Sequence, residues 1–366
     1  MKKPVVILLG KVPPPFMGPA IATQILLNSS LKNRCRLFHV DTRAHHSLDS
    51  MGRWSFAKLF RTLFIYTRLK WMILRHWPDL VVIPVSQSTM GFLKDSLYLI
   101  IAKCLGRRAI FHLRGSNFRN WYEHSSQLTR WYVRVMLRCT NGVIVQGQKL
   151  RAIFHGLVPE NHIHVVPNGA DYPFHPNSKS NQPLRVLYLA NLQASKGIED
   201  LIEAVRVLKN EVPEGFEVDV VGSWRSEETK RACLDMVDTY QLPIVFHPAA
   251  SGDVKFKFFQ NADVFVFTPR EPEGHPWVIV EAQAAGLPII ATNQGAIAEA
   301  VNDGVNGFLV GVKRPDEIAS RLKEFIQNES LRRKLAEASR TTYLNNFTEE
   351  KMVEKMMSAI HAVLMK

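Results

Sequence analysis

Residues 264–310 read VFVFTPREPEGHPWVIVEAQAAGLPIIATNQGAIAEAVNDGVNGFLV. The apolar run at 264–267 has the length of a buried strand, and the polar loop 268–275 bounds it. Pro276 is well tolerated in the first turn of a helix, Gly286 stops that helix, and 288–291 reads as the next strand. Strand, loop, helix and strand in this order predict a parallel sheet, with the loop at the carboxyl end of its strand. Ligands bind α/β sheets at that end. Free backbone N–H groups of Gly274, His275 and their neighbours, at a helix N-terminus, would suit a diphosphate.

The same alternation extends upstream. Strands are expected at 184–189, 216–221 and 244–246, with helices near 197–210, 226–240 and 252–261. Before residue 170 the expected strands are 5–9, 36–40, 80–83, 109–113, 142–145 and 163–166, separated by amphipathic stretches near 20–31, 55–76, 90–105 and 121–138. A polar, proline-containing stretch at 171–183, DYPFHPNSKSNQP, interrupts the pattern. From about residue 315 onward the chain reads as helix throughout. Met352, Val353, Met356, Met357 and Ile360 lie on one face of the last helix, as in a packing helix. The fold class is therefore α/β with two doubly wound parallel sheets. A length of 366 residues suits two domains: 1–172, a linker at 173–183, 184–346, and a C-terminal helix at 347–366.

Composition narrows the class. Hydrophobic content of 46% and charged content of 22% are those of a globular protein. The four cysteines, Cys35, Cys104, Cys139 and Cys233, form no CxxC pair, which argues against a disulfide framework or a zinc site and for a reducing compartment. The apolar start, 4–10, runs into Lys11 and three prolines and reads as a first strand rather than a signal peptide. No stretch of about 18 uncharged apolar residues predicts a membrane span, so the expected location is cytoplasmic. Charge is unevenly placed: residues 1–180 hold 25 Lys and Arg against 7 Asp and Glu, and the remainder 21 against 26. A basic first half attracts an anionic partner. Between Asp49 and Asp79 there is no acid, and Arg53, Lys58, Arg61, Arg68, Lys70 and Arg75 alternate with aromatic residues such as Trp54, Phe60, Phe64, Trp71 and Trp77. Such a helix suits an anionic bilayer surface. Arg130, Arg134 and Arg138 add a basic face on a later helix.

Two carboxylates stand out in the opening stretch. Glu273 lies in the loop, and Glu281, eight residues on, lies in the helix among Val278, Ile279, Val280 and Ala282. A carboxylate accepts two hydroxyl hydrogen bonds in fixed geometry, which suits a sugar or a ribose. The alternative is structural: Glu273 in a solvated loop, Glu281 paired with a nearby cation because a buried ionised Glu needs a partner.

The spacing Glu273-Gly274, seven residues, Glu281-Ala282, followed by Ala285-Gly286-Leu287-Pro288, resembles the signature of retaining glycosyltransferases of family 4 (glycosyl transferases group 1). Gly295, Glu299, Asp303-Gly304 and Gly307-Phe308-Leu309-Val310 resemble the end of that family's nucleotide-binding region. Lys196-Gly197 resembles its phosphate-binding lysine, and 166–171, VPNGAD, the close of its first domain. The resemblance implies a GT-B fold: two Rossmann-like domains facing across a cleft, the first on the acceptor side, the second holding a nucleotide-sugar donor, the C-terminal helix packing back on the first. Glu273 would contact the transferred sugar, Glu281 the ribose, and Lys196 the diphosphate. One departure matters. Family members often carry an arginine in a Gly-Arg-Leu triplet where this chain has Ala190-Asn191-Leu192. Asn191 can donate a hydrogen bond but brings no charge, and Arg270 is the cation suggested to compensate.

The first domain supplies further candidates by the same resemblance. Gly18, after the first strand, would let backbone approach the donor phosphates. Arg114 aligns with a family His slot, and His112 faces the same side two residues earlier. The absence of GxGxxG argues against a nicotinamide or flavin cofactor. No Asp-x-Asp metal motif appears, so neither metal nor cofactor is expected beyond the nucleotide sugar itself. The expected activity is a retaining, hexosyltransferase-type, metal-independent transfer to a glycan or lipid-linked acceptor in surface polysaccharide or lipopolysaccharide synthesis. Rival readings are a nucleotide-sugar epimerase of the same fold, a relative that binds without turnover, and a non-catalytic anion- or nucleic-acid-binding protein. Nucleic acid explains the basic half alone and leaves the two-glutamate motif without a role.

Overall fold

The apolar run VVILLG makes β1 (Val5–Gly10) a strand buried along its whole length. Parallel strands covered on both faces read as continuous apolar runs, and β3 (Leu80–Val85) and β5 (Val143–Val145) follow that rule; β4 (Arg108–Leu113) is buried beyond Arg108, and β6 (Ile163–Val165) is a partly buried edge strand. With the more exposed β2 (Arg36–Asp41) they form a parallel sheet in the order β2-β1-β3-β4-β5-β6. The computed structural model describes residues 3–14, 17–43, 56–174 and 182–365, excluding the side chains of 56–59. It divides into two units, Met1–Ala170 with Glu349–Lys366, and Asp171–Thr348.

In the first unit, α1 (Gly18–Asn28) and α2 (Leu31–Arg34) share a core with the sheet and with the last helix of the chain, Glu349–Leu364. Met352, Val353, Met356 and Ile360 of that helix are buried together with Val6, Leu8, Leu80 and Val82, and Glu349 accepts from Ser30 N at 2.8 Å. Also in this unit are α3 (Phe56–His76), α4 (Thr89–Cys104), α5 (Phe118–Glu123) and α6 (Gln127–Cys139). α4 packs against β3, β4, α3 and α6. The single helix expected at 121–138 is two. The Ser126 side chain accepts from Thr129 N at 3.2 Å and so caps a new helix where the old one stops.

The second unit is built the same way. Its strands are β7 (Leu184–Leu189), β8 (Phe216–Val221), β9 (Ile244–His247), β10 (Val264–Phe267), β11 (Ile289–Thr292) and β12 (Gly307–Val310), in the order β12-β11-β10-β7-β8-β9. All five pairings are parallel. β12 was not among the expected strands, although its residues belonged to a recognised motif. The helices are α7 (Ile198–Glu211), α8 (Glu227–Thr239), α9 (Gly252–Asn261), α10 (Trp277–Ala284), α11 (Ile297–Ala300), α12 (Pro315–Gln327) and α13 (Glu329–Asn346); the last helix of the chain is α14. Strand order reverses between β7 and β10, so the loops leaving these two strands diverge to opposite faces and open the crevice where such sheets take ligands.

Tyr172 and Phe174, read from sequence as the end of the first domain and the start of the linker, pack into the second unit. Phe174 is buried beside Phe259, with Phe256 edge-on at 5.4 Å, and Tyr172 lies against Phe256 and Tyr343. The rest of the expected linker, 175–181, lies outside the described residues.

Candidate functional site

Three loops at the carboxyl ends of β7, β10 and β11 meet. After β7 the chain makes a short 3-10 turn, Ala194–Lys196, and enters α7 through Gly197 at φ +76. A Cβ at Gly197 would lie 1.9 Å from the Thr268 carbonyl oxygen, so only glycine lets these loops touch. The contact is completed by Arg270 N donating to Ser195 O at 2.9 Å. Tyr188 Oη donates to Lys196 O at 2.6 Å and fixes the lysine backbone from below. On the β11 side, Gly295 at φ +61 would place a Cβ 1.9 Å from Glu273 O, and Ala296 N donates to that oxygen at 3.2 Å.

Lys196 and Glu273, 77 positions apart, are thereby brought together, and the Lys196 ammonium donates to Glu273 Oε1. Both side chains stay partly open, about a fifth exposed each: 23% and 19%. An ion pair at this depth is neither a surface ornament nor a sealed strut, and an incoming anion can compete for the lysine.

Glu281 is different. It lies in α10, its side chain 4% exposed, and Lys255 of α9 donates to its Oε1. Oε2 is buried without a hydrogen-bond partner. Burial pushes its carboxyl above the usual carboxylate range, while the Lys255 ammonium and the Tyr172 phenol pull it back. Tyr172 is itself pushed well up, by burial first and by the Glu281 charge second. The second-unit residues Lys255 and Tyr172 are the functional neighbours that sequence reading missed. The only signal was the general one that a buried glutamate needs a cation.

Other expected donor-site residues fall as follows. Gly274 and His275 precede α10, whose N-cap is Pro276. His275 is buried with its ring 4.8 Å from that of Phe347, so its side chain is part of the packing. Arg270 makes a two-pronged contact with Asp200 at 2.9 and 2.7 Å and pairs with Glu199 at 2.6 Å. These carboxylates hold its guanidinium above its ordinary range, and its charge is already matched. Asn191, exposed at the end of β7, accepts at Oδ1 from Arg225 Nη2 at 3.1 Å.

In the first unit, Gly18 opens α1 behind the N-cap Met17. His112 lies in β4 with both ring nitrogens buried and without hydrogen-bond partners. Burial, aided by the neighbouring Arg114 charge, drives its pKa well below the ordinary histidine value, so the ring is neutral. Arg114 follows the strand end, and burial lowers its guanidinium to about 10. Among the described residues no group of three or more His, Cys, Asp or Glu could hold a metal ion, and no helix is long and apolar enough to cross a membrane.

Residues 173–342 match the family model described as Glycosyl transferases group 1. The capsular polysaccharide biosynthesis glycosyltransferase CapM of Staphylococcus aureus is 29% identical over 179 residues, 48% of this chain and 46% of that protein. The lipopolysaccharide 1,2-N-acetylglucosaminetransferase of Salmonella typhimurium is 25% identical over 229 residues, 58% of this chain and 60% of that protein. The chain thus matches about half the length of these curated relatives. Among solved structures, Anabaena HepE in complex with UDP and glucose superposes with a TM-score of 0.73 at 17% identity, covering 98% of this chain and 99% of that one. A glycosyltransferase from Rickettsia africae gives 0.73 at 17% identity, over 100% and 99%. Residues 173–342 are thus similar to the glycosyl transferases group 1 family, and the chain's fold is that of the GT-B glycosyltransferases.

Proposed function

We propose that this protein transfers a sugar, with retention of anomeric configuration, from a nucleoside-diphosphate sugar to a glycan or lipid-linked acceptor. The observation that carries the reading is the contact of Lys196 with Glu273 at the strand ends where such sheets bind ligands, with Glu281 on the helix that follows the Glu273 loop. Lys196, now on Glu273, would pass to the diphosphate and stabilise the charge that grows as the leaving group departs. Glu273, freed from the lysine, would accept from hydroxyls of the transferred sugar. Glu281, whose carboxylate is held by Lys255 with the Tyr172 phenol beside it, would accept from ribose hydroxyls. Lysine and backbone amides would then neutralise the diphosphate without a metal ion. His112 and Arg114 are assigned to acceptor handling, with His112 as a neutral imidazole. Curated relatives act in capsule and lipopolysaccharide synthesis, which supports a surface-polysaccharide role.

A lipid-linked acceptor gains support from the first unit. α3 has two apolar stripes: Ile65, Leu69, Met72 and Ile73 face the core, while Phe60, Leu63, Phe64, Trp71 and Leu74 face water. Leu93, Leu97 and Ile100 of the adjacent α4, and Leu128 and Trp131 of α6, are exposed as well. Asp95 is the one acidic residue within α3, α4 and α6; it is buried and accepts from Ser86 N at 2.8 Å. Exposed apolar residues among cations, with no exposed acid on these helices, fit the cytoplasmic face of an anionic bilayer.

The first experiment is a thermal-shift panel of UDP-, GDP- and ADP-sugars, with UDP-sugars first because solved neighbours hold UDP. A ligand at 100 times its dissociation constant stabilises by about 2.7 kcal/mol. One nucleotide sugar should raise the melting temperature of wild type, and Glu281→Ala should abolish the response. A folded protein that responds to none removes the donor site.

A further inference from the structure

The loop after β8 is sewn to the loop after β7 beyond the ends of both strands. Ala190 N donates to Val221 O at 3.2 Å, Leu192 N to Ser223 O at 2.9 Å and Arg225 N to Leu192 O at 3.1 Å. The Leu192–Trp224 bridge continues the parallel ladder one step further. Trp224 packs against the core with its ring 5.4 Å from Phe246, so the backbone that carries Arg225 is anchored on the apolar side too. The Arg225 side chain returns to Asn191 Oδ1 at 3.1 Å. A flexible surface arginine has no such fixed root.

Its charge is also placed unlike the others. Lys196 sits on Glu273, and Arg270 sits on Asp200 and Glu199. Among the described residues in the loops leaving β7, β8 and β10, Arg225 alone presents a cation with no carboxylate on it; its partner Asn191 is neutral. An anion that recruits Lys196 must break an ion pair, whereas one that recruits Arg225 breaks none. A guanidinium with one N–H held by an amide oxygen keeps its remaining N–H groups for a two-pronged grip on phosphate.

We infer that Arg225 is the second diphosphate-binding cation of the donor site, aimed by Asn191. This rests on the donor reading above. Asn191, where the resembling family often carries an arginine, then serves as a positioning residue whose amide oxygen holds the Arg225 guanidinium.

The test is calorimetric titration of the full chain with UDP and UMP, and with the GDP/GMP and ADP/AMP pairs. Wild type must bind one nucleoside diphosphate more tightly than its monophosphate; a flat panel sinks the donor reading before Arg225 is at issue. Given that preference, Arg225→Gln should weaken the diphosphate by about 10–100-fold, the worth of a charge-assisted contact, and the monophosphate by less than about 3-fold. Asn191→Ala should give a smaller loss of the same kind. The double variant Asn191→Arg with Arg225→Gln should restore the preference, because the charge then stands on the other loop. A diphosphate-to-monophosphate ratio unchanged within about 3-fold in Arg225→Gln, at an unchanged melting temperature, overturns the inference. So does an equal loss for both nucleotides, which would make Arg225 a nucleoside contact. Arg225 is exposed, so the variant should fold.

Discussion

Cations near the strand ends of the second unit mostly sit on carboxylates: Lys196 on Glu273, Lys255 on Glu281, Arg270 on Asp200 and Glu199. In the first unit α3 and α6 carry no acidic residue at all, and their arginines border exposed Trp71 and Trp131. The two sheets have the same construction, yet the cations at the second unit's strand ends mostly have carboxylates beside them, whereas α3 and α6 combine cations with exposed apolar side chains and bring no acid of their own. Internal pairing pre-arranges groups for a small anion that will enter and leave. A basic and apolar surface suits a large, permanent, anionic apolar phase. On the proposed reading, similar architecture would serve two kinds of binding, decided by where acids stand rather than by the fold.

The sharpest way to break this comparison is to remove one half of a buried pair. Glu281→Leu strands the Lys255 ammonium, whose side chain is only 16% exposed, and should cost the second unit about 3–5 kcal/mol in urea unfolding. Adding Lys255→Met should recover most of that loss, because two apolar groups need no pairing, while donor binding stays absent. A cost below about 1 kcal/mol for the single variant would mean that the pair is solvated and that the contrast with the first unit fails.

The reciprocal change in the first unit should leave stability almost untouched. Trp71 and Trp131 are 61% and 60% exposed, so the double change to alanine should shift unfolding by under about 1 kcal/mol. Burying a large apolar side chain is worth about 1.5–3 kcal/mol. With two such residues removed, partition onto vesicles with 30% phosphatidylglycerol should therefore fall by about 100-fold or more in a flotation assay. Equal partition of variant and wild type, or wild type that floats as poorly as with neutral vesicles, would return the exposed stripe to an unexplained surface.

Which parts of this were legible in sequence follows from range. The buried strands announce themselves, since β1, β3 and β10 are apolar on both faces and need no periodicity to be read. β12 escaped because it opens on Gly307 and lies among turn residues, and the α5–α6 break escaped because the amphipathic pattern runs on across the Ser126 cap. The Glu273–Glu281 spacing is local and was visible. Lys255, 26 positions before Glu281, and Tyr172, more than a hundred before it, leave no such trace. The outward stripe of α4 was hidden for the opposite reason: an amphipathic stretch is read with its apolar residues inward, and only the packing shows Leu93, Leu97 and Ile100 facing water.

The smallest expected effect probes a titratable group that the first unit does bury. His112 has its folded pKa well below 6.5, chiefly through burial, whereas the unfolded chain titrates near the ordinary value. Below pH 6.5 the unfolded state binds a proton that the folded state refuses, so stability is present above that pH and is lost as pH falls. The slope approaches about 1.4 kcal/mol per pH unit, which integrates to about 1 kcal/mol between pH 6.5 and 5.5. His39 is lowered as well, again chiefly by burial, so the wild-type curve alone cannot isolate His112. The difference between wild type and His112→Leu can. Urea unfolding at pH 7.5, 6.5 and 5.5 should show the variant losing about 1 kcal/mol less than wild type over the last step. Parallel curves would mean that the imidazole charges in place, and the neutral acceptor-side histidine would have to be replaced by a cation beside Arg114.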